Sequence, residues 1–81
     1  MKQINIDFEK FEGSLDKFIA NANDGDVYIV QMENTKNDNK IEIKIMEIHR
    51  CMTGNIAIIN GRFHYDYNGC YNVIGICKVI C

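Results

Sequence analysis

The feature that most constrains the fold is a strict alternation of charged and apolar residues near the middle of the chain. In the segment KIEIKI, residues 40–45, charged side chains alternate with Ile41, Ile43 and Ile45. Successive side chains of a β-strand point to opposite faces, so this period of two predicts a half-buried strand over residues 40–49. The alternation changes phase at residues 46–48, which predicts a β-bulge there.

Isoleucine dominates the apolar residues of this 81-residue chain, with fourteen Ile and a single Leu. β-Branched side chains fit the pleated surface of a sheet, so this bias favours strands elsewhere as well. Four further segments of short apolar runs or alternation predict strands: residues 4–8, 27–33, 56–67 and 71–80.

One helix is predicted between the first two strands. Its apolar face has the spacing i, i+3, i+4, i+7 and consists of Leu15, Phe18, Ile19 and Ala22. We place Ser14 at the N-cap, and the segment 23–25, NDG, ends the helix. A start near Asp7 is the alternative, but it would place Gly13 inside the helix at a cost of about 1 kcal/mol.

Residues 1–81 are therefore predicted to form one α+β domain of order β-α-β-β-β-β, a mainly antiparallel sheet with one helix packed on one face. Asn68 and Gly69 predict a two-residue type I′ hairpin, because both central positions of that turn need positive φ. The hairpin would pair the last two strands, Tyr67 opposite Cys70 and Asn60 opposite Cys77.

The four cysteines are predicted to be fillers of the structure rather than a site. Along one strand Cys77 and Cys81 would stand roughly 13 Å apart, too far for a disulfide or a shared zinc ion. We therefore expect no cofactor and no metal. His49 and Cys51 are the one pair that could share a metal, and a metal-binding or thiol-redox protein that uses the Cys/His cluster is an alternative function.

Residues around the predicted hairpin are the candidates for partner binding. Tyrosine offers a large contact area and a polar group at low entropic cost, and arginine is also enriched at binding hot spots. The predicted partner-binding residues are Arg62, His64, Tyr65, Tyr67 and Tyr71. Arg62, His64 and Asp66 on one strand face could resemble a catalytic set, but no nucleophile accompanies them, so no catalytic residue is assigned and the protein is predicted not to be an enzyme.

Charge limits the classes of partner. The formal net charge is −2, with −4 in residues 1–39 (eight acids, four lysines) and +2 in residues 40–81 (three acids, five bases). Nucleic acid is an unlikely partner because a basic patch is missing. The chain starts without an apolar leader and has no run that could span a bilayer, so we expect a cytoplasmic protein that uses no membrane.

The leading hypothesis is a small non-enzymatic binding protein that occludes or sequesters a macromolecular partner, most often another protein. An inhibitor of a host defence protein, encoded by a phage or mobile element, is one form of this hypothesis. A homodimer through an edge strand is also expected. The remaining alternative is a dimeric module that sequesters a small nucleotide signal.

Overall fold

A computed structural model describes residues 6–80 and contains one short helix and six strands. The strands are β1 (Glu9–Lys10), β2 (Val27–Asn34), β3 (Lys40–Cys51), β4 (Gly54–Ile59), β5 (Arg62–Phe63) and β6 (Tyr71–Lys78). The helix α1 spans Leu15–Asn21, and a 3-10 helix spans His64–Tyr67.

The six strands form one antiparallel sheet in the order β1-β6-β2-β3-β4-β5. The helix packs on one face of it, chiefly against β4. The predicted α+β class, with one compact domain, is confirmed. The strand predicted at residues 4–8 falls partly outside the described residues, and the described part of the N-terminal segment joins the sheet only at Glu9–Lys10.

The helix begins where its capping residue predicts. The backbone of Ser14 is extended, and its side-chain hydroxyl accepts a hydrogen bond from the Lys17 backbone N–H at 3.3 Å. Such a bond satisfies one of the N–H groups that the first turn leaves free, so the start at Ser14 is confirmed and the start near Asp7 is wrong. The helix ends at Asn21, two residues before the predicted segment 23–25.

The predicted hairpin at Asn68 and Gly69 is wrong, because the chain makes its tight turn eight residues earlier. Asn60 and Gly61 have φ values of 54° and 83°, and Ile59 pairs with Arg62 across them. Positive φ at both central residues is the requirement of a type I′ turn, and Asn-Gly meets it at this position as well. The fourth predicted strand, residues 56–67, is therefore split into β4, a turn, β5 and the 3-10 helix.

The tail crosses the sheet instead of folding back on its neighbour. Gly69 has a φ of 82° and follows Asn68 at φ −64°, ψ 132°, the geometry of a type II turn, which the Cys70 N–H closes onto the Tyr67 carbonyl at 3.2 Å. After this turn β6 pairs with β2 and β1, so the predicted partners of Tyr67 and Asn60 are corrected.

The central strand β3 runs in one register along its whole length. It pairs with β2 over residues 40–47 and with β4 over residues 46–51, and neither pairing has a register shift, so the bulge predicted at residues 46–48 is wrong. The irregularity of the sheet lies in β6, where the register shifts opposite Gln31 and Met32. Continuous alternation places Glu42 and Lys44 on the helix side of the sheet and Ile41, Ile43 and Ile45 on the opposite face.

We call the two sides of the sheet the covered face and the open face. The covered face carries α1 and the crossing segment 64–70, and the core between them consists of Ile19, Ala22, Tyr28, Val30, Met32, Met46, Ile48, Ala57, Ile59, Tyr67 and Ile76. Among the described residues no helix or second sheet lies on the open face. The fold therefore has one core, on one side of its sheet.

Asn55 joins the end of the helix to β4. Its side-chain amide donates to the carbonyls of Ile19 and Ala22 at 2.9 and 2.7 Å. The Ile19 carbonyl also accepts from the Ala22 N–H at 3.2 Å, so Asn55 adds a second donor there, at the helix end where carbonyls lack intrahelical partners. We expect Asn55→Ala to lower the free energy of unfolding by about 1–2 kcal/mol, because the carbonyls of Ile19 and Ala22 each lose one part-buried hydrogen bond. Urea denaturation measures this change.

The matched control is Asn21→Ala. The Asn21 amide donates only to the Lys17 carbonyl on the exposed side of the same helix, so its loss should change stability by less than about 0.5 kcal/mol. Equal effects of the two variants would show that the link between helix and strand contributes nothing of its own.

Candidate functional site

A short corner of chain after the Asn60-Gly61 turn presents exposed side chains between buried ones. We call residues 62–67 the aromatic corner. Phe63 and Tyr65 are 52% and 58% exposed, and Arg62 and Asp66 are also exposed. Between and after them His64 and Tyr67 are buried. The corner thus offers aromatic surface on a segment that is anchored in the core.

His64 is the first anchor and is 3% exposed. Its Nδ1 lies 3.1 Å from the backbone nitrogen of Ala57 and 3.4 Å from the carbonyl oxygen of the same residue. Nε2 faces Asp16 Oδ1 at 3.6 Å. The ring therefore contacts the backbone of β4 with one nitrogen and faces the helix with the other.

Tyr67 is the second anchor. Its hydroxyl donates to the Ile59 carbonyl at 2.9 Å, and its ring packs edge-on against Tyr71 with 5.2 Å between centroids. Tyr65 lies outside, with its ring 4.0 Å from that of His64. The exposed Tyr65 ring thus lies against the buried His64 ring with 38° between their planes, a contact that limits the rotamers Tyr65 can adopt.

A polar network lies behind the corner on the covered face. Lys44 has a side chain only 12% exposed, and its Nζ lies 3.1 Å from Glu42 Oε1. The same ammonium lies 5.7 and 5.5 Å from the ring centroids of Tyr67 and Tyr71, within cation–π range. Asn34 completes the network by donating to Glu42 Oε2 at 3.0 Å. These contacts compensate the partial burial of a charged pair.

The network shifts two pKa values in opposite directions. Hydrogen bonds from Asn34, and then from Lys44, lower the pKa of Glu42 below its ordinary 4.5. Desolvation, followed by the charge of Glu42, raises the pKa of Tyr71 above its ordinary 10.0. Glu42 is therefore held ionised and Tyr71 is held neutral, which suits a structural network.

The structure brings together three of the five predicted partner-binding residues. Arg62, Tyr67 and Tyr71 line one cleft of about 390 Å³ beside Lys44 and Asp66. Tyr67 is buried and Tyr71 is half-buried, so of these three predicted residues only Arg62 is exposed to a large partner.

The other two predicted residues, His64 and Tyr65, lie in the middle of the aromatic corner. His64 is buried as an anchor, and Tyr65 is exposed. Arg62, His64 and Asp66 do not share a strand face, since only Arg62–Phe63 is strand and the 3-10 helix starts at His64.

Phe63 also belongs to this surface, although it is not among the predicted partner-binding residues and its position in the long predicted strand favours the core. It pairs with Ile58 on the open face and is exposed there. The Asn60-Gly61 dipeptide was the available signal, because a type I′ turn at that point ends the long strand and exposes the residues that follow.

The cysteines and histidines do not converge in the described part of the chain. Cys51, Cys70 and Cys77 are free thiols, and residues 6–80 hold no group of three or more His, Cys, Asp or Glu side chains that could bind a metal ion. His49 Nε2 lies 3.5 Å from Glu47 Oε2, and both side chains are half exposed on β3. The alternative site at His49 and Cys51 thus has Glu47 beside His49, but these side chains do not form a group of three that could bind a metal ion within residues 6–80.

No match to this chain is found among protein families, curated proteins or solved structures. None of the helices within residues 6–80 has the length and apolar character needed to cross a membrane. Function must therefore be argued from the surface of the molecule itself.

The first test of the corner concerns its anchor. His64→Ala should lower the free energy of unfolding by about 2–4 kcal/mol, because it opens a cavity and leaves the Ala57 N–H without an acceptor. Chemical denaturation at neutral pH measures the change. His49→Ala removes an imidazole that is half exposed and should cost less than about 0.5 kcal/mol; similar costs for both would contradict the anchoring role.

The second test concerns Glu42 and pH. Because its folded pKa lies below 4.5, the stabilisation by its carboxylate is complete above that value and is lost as the pH falls through the folded pKa. Unfolding free energies at neutral and acidic pH should therefore differ less in Glu42→Gln than in the wild type. Glu9→Gln is the control for the loss of one negative charge. Equal acid dependence in all three proteins would exclude the network as its source.

Proposed function

We propose that this is a non-enzymatic binding protein that occludes a surface of a protein partner through its aromatic corner. The observation that carries the proposal is the arrangement of Arg62, Phe63 and Tyr65, all exposed, around the buried side chains His64 and Tyr67. Tyrosine and arginine are enriched among the residues that dominate binding energy.

Rigidity supports this assignment. A side chain that is already held in place loses little entropy when a partner binds, so more of its contact energy appears as affinity. Hydrogen bonds to Ala57 and Ile59 fix the segment on both sides of Tyr65, and the His64 ring supports the Tyr65 ring. Such a corner could insert its aromatic side chains into a pocket of a partner.

The charge of the corner fits a protein better than a nucleic acid. Arg62 and Asp66 are close in the chain and opposite in sign, and Lys44 behind them is paired with Glu42. No free excess of positive charge is left there to neutralise phosphates, which nucleic-acid binding requires. The finer form of the proposal, an inhibitor of a host defence protein encoded by a phage or mobile element, remains a hypothesis about the partner.

Affinity capture tests the proposal with three immobilised baits: wild type, Tyr65→Ala, and Lys10→Ala on β1 at the opposite edge of the sheet. Extract from the host cells is passed over each bait, bound proteins are identified by mass spectrometry, and the captured protein is purified. We expect the captured protein to bind Tyr65→Ala with a Kd at least about 30-fold higher than that for the wild type. The loss of a hot spot of about 2 kcal/mol would produce a change of this size.

The control must separate binding from folding. Lys10 forms only an exposed ion pair with Glu12, so Lys10→Ala should bind as the wild type does. Far-ultraviolet circular dichroism must show that Tyr65→Ala is folded. A partner that binds wild type and Tyr65→Ala with the same Kd would overturn the role of the corner.

A further inference from the structure

We propose that one edge of β3 binds an extended segment of the protein partner, which joins the sheet as an antiparallel strand. The observation that points to this site is a difference in strand length. β3 spans Lys40–Cys51, but β4 pairs only with its residues 46–51. On that side no strand within residues 6–80 pairs with residues 40–44, and we call this side of them the free edge.

Two isoleucines of the free edge direct their backbone groups away from the sheet. The Ile45 carbonyl accepts from the Asn60 N–H at 3.1 Å, on the β4 side of β3. In an antiparallel strand the N–H and carbonyl of one residue point to the same side, and that side alternates along the chain. Ile41 and Ile43 therefore point their N–H and carbonyl groups to the β4 side as well, beyond the end of β4. They offer donors and acceptors at the spacing of a β-ladder.

The features that usually protect a sheet edge are few at this one. Natural sheets blunt an exposed edge with a very short strand, a proline, a bulge or a lysine. β3 has twelve residues and pairs without a register shift, and the chain has no proline. Lys44 lies on the edge, but Glu42 and two tyrosine rings hold its ammonium on the covered face. Lys40 remains, at one end of the free edge.

The opposite end of β3 shows how the chain closes such an edge itself. There the segment before β2 continues the pairing, since the Ile48 N–H donates to the Asp26 carbonyl at 2.9 Å. The Arg50 N–H donates to the Asp24 carboxylate, also at 2.9 Å. After β4 the chain turns away into β5, and no segment within residues 6–80 closes the free edge in this manner.

A second copy of the chain fits the free edge less well than a foreign strand. With a two-fold axis at Ile43, the second copy would need the space beside Ile45, where Asn60 lies. With the axis at Ile41, Ile43 would face Asn39, whose φ of 54° is not that of a strand. With the axis midway between these isoleucines, a glutamate would face its own copy, and like charges directly opposite are destabilising.

The side chains of the free edge define the chemistry of the strand. On the open face Ile41 and Ile43 are 44% and 53% exposed, and β-branched side chains directly opposite would cover them. On the covered face the order is Lys40, Glu42, Lys44, which an acid, a base and an acid would complement. The expected segment therefore alternates two β-branched residues with acidic, basic and acidic ones.

A cleft at one end of the free edge can take a side chain of the strand. It is the cleft of about 390 Å³ that Lys44 and Asn60 share with Arg62 and Asp66 of the aromatic corner. Main-chain hydrogen bonds give affinity in strand addition, and pockets for alternate side chains give specificity. Because the free edge and the corner would contact one partner, this strand-binding site rests on the proposed function.

Titration of the full chain, labelled with nitrogen-15, tests the site by nuclear magnetic resonance. The probe is the synthetic peptide Thr-Glu-Val-Lys-Val-Glu-Thr, blocked at both ends, whose valines would lie opposite Ile43 and Ile41. We expect a Kd at or below about 1 mM. The amide signals of Ile41 and Ile43 should shift, and hydrogen exchange at both amides should slow, because the peptide supplies acceptors for their N–H groups.

Methylation of single peptide nitrogens supplies the matched controls. A methyl group on the nitrogen of the first valine, which donates to the Ile43 carbonyl, should raise the Kd at least about 10-fold. A methyl group on the lysine nitrogen, which points away from β3, should change the Kd by less than about twofold. The charge-reversed peptide Thr-Lys-Val-Glu-Val-Lys-Thr should bind at least about threefold more weakly than the probe.

Three results would overturn the proposal. The first is unchanged Ile41 and Ile43 signals up to about 5 mM peptide, well above the expected Kd. The second is an equal effect of the two methyl groups. The third is a free chain that sediments as a dimer with both amides already protected, which would assign the free edge to a second copy. Tyr65→Ala should bind the peptide as the wild type does, so the free edge and the function of the corner can fail separately.

Discussion

The uninterrupted register of β3 is the constraint on which the rest of the structure depends. Because β3 pairs continuously with β2 on one side and β4 on the other, the side chains of Glu42, Lys44, Met46 and Ile48 must share one face. That face is apolar at one end and charged at the other. Two different segments pack on this face: the helix lies over its apolar end, and the crossing segment 64–70 lies over its charged end.

The crossing segment links this constraint to the candidate site. Tyr67 and Tyr71 surround the Lys44 ammonium, and Tyr67 and His64 hold the segment against β4. The same anchors leave Phe63 and Tyr65 on the outside. The path of the crossing segment thus has two consequences. It packs on the charged pair of the covered face, and it leaves an aromatic surface at the corner. The open face, on which Ile41, Ile43 and Ile45 are exposed, is a third feature of the surface.

Much of the fold could be predicted from the sequence because local signals decide it. Ser14 caps the helix, and the β-branched alternation of residues 40–45 identifies the central strand. The sequence could not decide between two Asn-Gly dipeptides that can each make a type I′ turn. The choice of Asn60-Gly61 depends on contacts made after the turn, those of His64 and Tyr67, which no local pattern encodes.

The candidate site shows the same division. Tyr65 and Arg62 could be named from residue type, whereas the burial of His64 and Tyr67 depends on the crossing path. The phase change at residues 46–48 was interpreted as a bulge because apolar residues were expected on one face only. In the structure the alternation of side chains along β3 continues without a break, and the face that carries the apolar side chains changes instead. The core ends partway along β3, and only tertiary packing decides at which residue it ends.

The register of β3 beneath the crossing segment is tested most directly by proton–proton nuclear Overhauser effects in solution. We expect contacts between the Tyr67 ring and the side-chain methylene groups of Lys44, and none between that ring and Ile43. Contacts of the Tyr67 ring with Ile43, or the absence of any with Lys44, would contradict it.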